Sequence, residues 1–218
     1  MAKIRIGVLV SGRGSNLQAL IDSVKAGRLD AQIAVVISDV EEAFALERAR
    51  SAGIEARYVD PGPKRSRLSE EAEAEVVATL EGAGVDLVAL AGFMRILSPQ
   101  LVRRFEYRMM NIHPSLLPSF PGLHVQRQAL DYGVKFSGCT VHFVDEGMDT
   151  GPIIVQAVVP VLDNDTEDAL AARILKQEHR IFSRAIQLFA EGRLKVEGRR
   201  VVVTGGRTET DDHLVNPC

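Results

Sequence analysis

The chain has 218 residues, which at roughly 150 residues per domain suits one large domain or two small ones. Its 26 basic and 29 acidic residues leave a formal charge of −3, no surplus for holding a nucleic-acid backbone or an anionic membrane. Hydrophobic residues at 46% fit an ordinary globular chain, and the apolar runs fall far short of the about 18 residues that a membrane span needs.

Lys3 to Val10 reads as a strand broken by Ser11-Gly12-Arg13-Gly14, after which Leu17, Leu20, Ile21 and Val24 recur at helical spacing until Gly27. Ser15 with Gln18 reads as the capping signal of that helix. Ile33 to Ser38 is a second strand. Asp39 and Glu42 have capping-box spacing for a helix that ends before Gly53, and Ile54 to Val59 resumes a strand. A loop from Pro61 to Arg67 precedes a helix from Leu68 to Ala83. Leu87 to Ala91 is all apolar, as in a strand buried on both faces of a parallel sheet. Ser98-Pro99 starts another helix and Met109 to Ile112 is a further buried strand. Phe136 to Val144 and Pro152 to Val161 read as antiparallel strands around an acidic turn, and one long helix runs from about Thr166 to Ala190.

The expected fold is therefore α/β: a Rossmann-like layered arrangement with a mostly parallel central sheet, antiparallel strands added in the C-terminal half, and helices on both faces. One domain is expected over 1–205, its halves meeting near 92–93, with a loose polar tail over 206–218. The N-terminus lacks the apolar stretch of a secretory signal, and Cys139 and Cys218 form no disulfide framework or zinc spacing, so a cytoplasmic protein is expected. Cys139 reads as a buried small hydrophobe. His124, His142 and His179 are scattered, which argues against a metal site.

Four constellations carry chemistry. The loop Gly12, Arg13, Gly14, Ser15, Asn16 joins a strand to a helix, where backbone amides and the helix N-terminus favour an anion. It fits one phosphate better than a dinucleotide, since Leu17 replaces the third glycine of G-x-G-x-x-G; a plain tight turn is the bland alternative. Asp39 is arguable as a ribose-binding acid, although Glu42 gives it a local role. Asn111 and His113, two apart at a strand end, point to one side and suit a developing oxyanion, against the alternative of a turn-capping amide and a gap-filling imidazole. The turn from Asp145 to Gly151 holds Asp145, Glu146 and Asp149, and the pattern leaves open which faces inward. Glu178 lies on the apolar stripe of the last helix and needs a partner, either an internal salt bridge or ligand hydroxyls.

Four segments together, Ser11 to Leu20, Ala91 to Leu97, Asn111-Ile112-His113-Pro114-Ser115-Leu116-Leu117-Pro118, and Asp149-Thr150-Gly151-Pro152, closely resemble the phosphoribosylglycinamide formyltransferases, from Lys3 to about Leu194. The resemblance implies formyl transfer from 10-formyltetrahydrofolate, as cosubstrate, to the amine of glycinamide ribonucleotide, with no metal. It implies Asn111, His113 and Asp149 as catalytic, Asp149 raising the His113 pKa so that the ring stays charged near neutral pH, Gly12 to Asn16 as phosphate-binding, and Glu178 on the ribose with Gly92, Met94 and Pro114 lining the glycinamide site. Arg95, Ile96 and Leu97 would wall the folate pocket, lined by Leu90, Phe93, Val102 and Val144, with Met94, Asn111 and Asp149 beside the ring and Arg67 as the candidate for the folate tail. The partners expected are these small molecules, with no nucleic acid or membrane and a monomer or homodimer. A folate-dependent deformylase shares the triad but usually carries an extra N-terminal domain, a methionyl-tRNA formyltransferase would need a C-terminal RNA-binding domain, and a non-catalytic phosphate-binding module would leave the triad unexplained.

Overall fold

Alternating strands and helices build one mixed sheet. The computed structural model describes residues 3–64, 66–205 and 215–216. In chain order it contains β1 (Ile4–Val10), α1 (Ser15–Lys25), β2 (Ala31–Ser38), α2 (Phe44–Ser51), β3 (Glu55–Tyr58), α3 (Glu70–Gly82), β4 (Leu87–Leu90), α4 (Pro99–Arg104) and β5 (Met109–His113). These are followed by α5 (Val125–Tyr132), β6 (Phe136–Phe143), β7 (Ile153–Pro160), α6 (Glu167–Ala190), β8 (Leu194–Glu197), β9 (Arg200–Val203) and β10 (Val215–Asn216). The strand order is β3-β2-β1-β4-β5-β6-β7-β9-β8, with β10 also on β7.

The first five strands in that order are parallel, and β6 and β7 add antiparallel, as the sequence pattern predicts. From β1 the chain moves outward to β2 and β3, then returns to place β4 on the other side. That reversal opens a crevice beyond the carboxyl ends of β1 and β4, where open α/β sheets bind ligands.

Period two sorts each strand between two cores. Ile6, Val8 and Val10 of β1, Met110 and Ile112 of β5, and Cys139, Val141 and Phe143 of β6 face one core, together with the apolar stripes of α1, α2 and α6. Leu9, Val88, Leu90 and Met109 face the other, against Val76 and Leu80 of α3 and Leu101 of α4. Asn111 and His113 alternate with Met110 and Ile112, so they share the second face. Helix starts follow local chemistry at α3, α4 and α6: Ser69, Ser98 and Thr166 accept from the backbone N–H three residues on.

Two capping expectations are corrected. Helix α2 begins at Phe44 with no side-chain cap, because Asp39 is buried and paired with Arg95 rather than with its own helix. Helix α1 begins after Gly14, also without a side-chain cap, and the Gln18 side chain is engaged by Arg48 and Asp22. Helix α5 and the β8–β9 hairpin are additions to the sequence reading. Of the tail expected to be loose, residues 215–216 pair antiparallel with Gln156 and Ala157; the rest lies outside the described residues.

Gly138 in β6 marks a close approach. A Cβ there would collide with the Ala157 carbonyl oxygen and stand 2.8 Å from the Leu116 side chain. Gly138→Ala should therefore lower stability by about 1–3 kcal/mol, the scale of overpacking, measured by denaturant unfolding; an unchanged midpoint would show that β6 and β7 can separate at no cost.

Candidate active site

The antiparallel pairing of β6 on β5 sets Asn111 opposite His142 and His113 opposite Thr140. The loop after β6 turns back so that Asp149 stands among these side chains. Its Oδ2 accepts from the Gly122 N–H at 2.9 Å and lies 3.5 Å from Nδ1 of His113. Its Oδ1 lies 3.5 Å from the Asn111 amide nitrogen and 3.7 Å from Nε2 of His142. Asn111, His113 and Asp149 are thus brought together as the sequence reading requires.

The neighbouring acids are accounted for elsewhere. Asp145 closes its own turn by accepting from Gly147 N–H and the Thr150 hydroxyl. Glu146 is exposed and paired with Arg103. Only Asp149 of the three faces inward.

The sequence reading missed His142. Its Nδ1 lies 2.8 Å from the Phe143 carbonyl, which makes that nitrogen the donor and leaves Nε2 to accept from the Asn111 amide at 3.2 Å. Alternation along β6 could have put Thr140, His142 and Val144 on one face, but the register against Asn111 is a tertiary fact. Thr140 anchors the neighbouring proline-rich loop: its hydroxyl donates to Ser115 O and accepts from Leu117 N and from Gln156. Arg199, in the unforeseen hairpin, donates to the carbonyl of Thr150, next to Asp149.

Charge in this cluster is set by burial and by neighbours. Burial lowers His113 below the ordinary histidine value, and the Phe120 carbonyl, 3.0 Å from Nε2, and the Asp149 charge pull it only part of the way back. The expectation that Asp149 raises His113 enough to keep it charged near neutral pH is corrected: the direction of Asp149's effect stands, but desolvation outweighs it. Burial alone would raise the Asp149 carboxyl. The His142 ring, the Gly122 N–H and the charges of both imidazoles hold it below the usual range.

The glycine loop sits at the carboxyl end of β1. Gly14 has φ 70°, and a Cβ there would stand 2.7 Å from the Ala45 Cβ and 2.9 Å from its Cα, so only glycine fits under α2. Gly12 and Arg13 are exposed, while Asn16 is buried and donates to Glu178 Oε2 at 2.7 Å. Glu178, 8% exposed, thus has an amide partner instead of a salt bridge. Burial pushes its carboxyl up and Asn16 draws it partly back. Ser11 ties this side to the other: its N–H donates to Gly92 O and its hydroxyl accepts from Met94 N.

Beyond Gly92, Phe93, Leu97 and Val144 pack on the rim of the second core, into which Leu90 is buried; Val102 is buried on α4, while Met94 and Ile96 are 58% and 39% exposed. Ile96 N donates to Ser66 O, and Arg67 forms a parallel bridge with Ile96, which places it beside this apolar strip. Arg95 donates to the buried Asp39 carboxylate at 2.5 Å and to Lys64 O at 2.8 Å, so Asp39 is an anchor of the strip and not a ribose-binding acid. Pro114 is half-buried directly after His113. Cys139 is buried, and burial pushes its thiol up, away from nucleophilic use. Among the described residues no group of three or more His, Cys, Asp or Glu could hold a metal ion, and no helix is long and apolar enough to cross a membrane.

A sheet with a switch-point crevice, an anion-type loop on one side and an Asn/His/Asp cluster on the other is the architecture of a small-molecule transferase. A formyl transferase family model matches residues 4–186, and the chain belongs to that family. It is 46% identical over 204 residues to phosphoribosylglycinamide formyltransferase of Escherichia coli (strain K12), covering 94% of this chain and 95% of that protein. It is also 53% identical over 190 residues to the trifunctional purine biosynthetic protein adenosine-3 of Drosophila melanogaster, covering 86% of this chain but only 14% of that longer protein. Among solved structures, glycinamide ribonucleotide transformylase 1 from Symbiobacterium toebii superimposes with a TM-score of 0.88 at 55% identity, covering 93% of this chain and 94% of that one. A formyltetrahydrofolate deformylase from Pseudomonas syringae pv. tomato gives 0.85 at 34% identity, covering 92% of this chain and 66% of that one.

Replacing Asp149 by Asn removes the one carboxylate that pulls His113 upward, so the His113 titration, followed by NMR, should move to still lower pH. The sign extends to stability. Between the lowered folded value and the unfolded value near 6.5, the unfolded chain binds a proton that the native chain does not, so His113 costs stability as pH falls through that window. A titration unmoved in the variant would remove the electrostatic link.

Proposed function

We infer that this chain transfers the formyl group of 10-formyltetrahydrofolate to the amine of glycinamide ribonucleotide, giving formylglycinamide ribonucleotide and tetrahydrofolate for purine synthesis. The observation that carries this reading is the joining of an anion-type loop to a buried acid, Asn16 to Glu178 at 2.7 Å, at the carboxyl end of β1, two strands along the sheet from β5, where Asn111, His113 and Asp149 meet. A hydrolase needs the second group alone; a ribonucleotide acceptor needs both. The likeness to the Escherichia coli protein, end to end in both chains, supports the same substrates.

The residues suit the two molecules. Amides of the loop from Gly12 to Asn16 hold the phosphate, and the Glu178 carboxylate accepts from ribose hydroxyls. Gly92, Met94 and Pro114 flank the glycinamide. The half-exposed apolar strip of Met94 and Ile96, with Phe93, Leu97 and Val144 behind it, fits a flat folate ring, and Arg67 next to Ile96 suits the anionic tail. The folate supplies the formyl carbon. Asn111 and His113 donate to the oxyanion that the attacking amine creates there. In the structure one Asn111 hydrogen goes to His142 and the His113 Nε2 hydrogen to Phe120 O, so engaging the oxyanion exchanges a neutral acceptor for a charged one. The oxyanion's charge adds to that of Asp149 in favouring imidazolium, offsetting burial at the moment it matters. Asp149 then relays the proton from the attacking amine to the departing folate nitrogen, directly or through water.

Mixing the protein with 10-formyltetrahydrofolate, with and without glycinamide ribonucleotide, tests the reading. Consumption only when the ribonucleotide is present supports it, consumption without it identifies a deformylase, and no consumption leaves a binding module. Asn111→Ala and His113→Ala should each lower kcat by roughly 10²- to 10⁴-fold with both substrates still bound, the scale for losing an oxyanion donor or acid/base group. Glu146→Gln should be nearly silent, since Glu146 meets only an exposed arginine. Wild-type turnover in either site variant, or a dead Glu146→Gln, would reverse the assignment.

A further inference from the structure

Arg48 plays no part in the chemistry above, yet it is the side chain of α2 that reaches the glycine loop. Its Nε donates to Arg13 O at 2.9 Å and its Nη1 to Gln18 Oε1 at 2.9 Å. Its guanidinium stands 4.7 Å over the Phe44 ring, which fixes the plane of the fork. One residue earlier in the loop, Gly12 O accepts from Ala45 N at 3.1 Å. Two successive loop carbonyls are therefore turned toward α2.

In a trans peptide the carbonyl and the next N–H point in opposite directions. Turning Gly12 O and Arg13 O toward α2 turns the N–H groups of Arg13 and Gly14 away from it, into the crevice. Helix α1 adds its own unpaired donors, since Gln18 N to Gly14 O is its first internal bond and the N–H groups of Ser15, Asn16 and Leu17 precede it. Together these amides form a concave set of donors, the geometry that captures a phosphate monoester.

We propose that Arg48 is a positioning residue for the phosphate of the acceptor substrate: its guanidinium holds the Arg13 carbonyl out of the crevice so that the loop amides face the anion. The proposal rests on the reading of this loop as the phosphate site. Lysine cannot replace the fork, because a single ammonium on a flexible stem cannot hold the Arg13 carbonyl and the Gln18 amide oxygen in that planar arrangement.

The test compares glycinamide ribonucleotide with its phosphate-free riboside as acceptors, in the wild type, Arg48→Met and Arg48→Lys. For Arg48→Met we expect KM for the ribonucleotide to rise roughly tenfold, the scale of one charge-assisted hydrogen bond. Values of kcat, KM for 10-formyltetrahydrofolate and activity on the riboside should stay within about twofold of the wild type. Arg48→Lys, which keeps the charge, should lose ribonucleotide affinity as Arg48→Met does. An equal loss on both acceptors would make Arg48 merely structural, full recovery in Arg48→Lys would make it a distant charge, and an unchanged KM would leave it no role; each overturns the proposal. A wild type that does not distinguish ribonucleotide from riboside would instead overturn the phosphate reading of the loop, and this proposal with it.

Discussion

A carboxylate withdrawn from water has to be surrounded by donors or positive charge, or it takes up a proton. Asp149 keeps only 14% of its side chain exposed, and it meets that requirement with one backbone N–H and one amide, beside two imidazoles at 3.5 and 3.7 Å that add positive charge when protonated, the four groups drawn from three separate segments. Gly122 comes from the proline-rich loop, Asn111 and His113 from β5, and His142 from β6. Each partner is there because of something larger: β6 must run antiparallel to β5 to bring His142 to Asn111, and Thr140 and Gln156 must pin the loop that carries Gly122. The buried charge therefore reports on the whole C-terminal half of the sheet.

The candidate site draws side chains from both layers of the fold. Asn16 of α1 and Glu178 of α6 belong to the layer that packs on Ile6, Val8 and Val10. Asn111 and His113 face the opposite side, where α3 and α4 pack on Leu9, Val88 and Leu90. Ser11 bridges the two by holding Gly92 through its N–H and Met94 through its hydroxyl. The residue that follows β1 thus ties the loop that opens α1 to the half-exposed apolar strip of Met94 and Ile96.

Legibility from sequence follows how local each determinant is. The strands and helices of the N-terminal half were readable because each apolar run ends at a glycine or a cap, and period two was enough to put Asn111 and His113 on one face. The Asp39/Glu42 spacing misled because a cap signature says nothing about a competing partner 56 residues away; Arg95 offers a buried ion pair, and the helix starts later without a cap. Helix α5 and the hairpin of β8 and β9 are four to eight residues long, too short for periodicity to stand out. Register hid His142, and burial hid the direction of the His113 shift, because desolvation depends on what covers a side chain and not on its sequence neighbours.

On the function proposed above, chemistry and acceptor choice sit on opposite layers of this fold. The face that carries Asn111, His113, His142 and Asp149 would then serve any transfer of a formyl group from folate, including transfer to water, and the likeness to a deformylase structure at 34% identity is consistent with such a shared face. The groups proposed to commit the site to a phosphorylated acceptor lie on the α1, α2 and α6 side. There Gly14 is pressed against Ala45, Arg48 and Ala45 N–H draw the loop carbonyls outward, and Asn16 spans to Glu178. Because the two layers meet at Ser11, through its N–H on Gly92 and its hydroxyl on Met94, and Ser11 has no place in the proposed chemistry, changes in the loop should alter which amine is held without altering how a held amine reacts. Affinity for the acceptor and the rate of the chemical step should therefore be separable in this fold, as expected when binding groups contact the substrate remote from the reacting carbon and make the same contacts in ground and transition states.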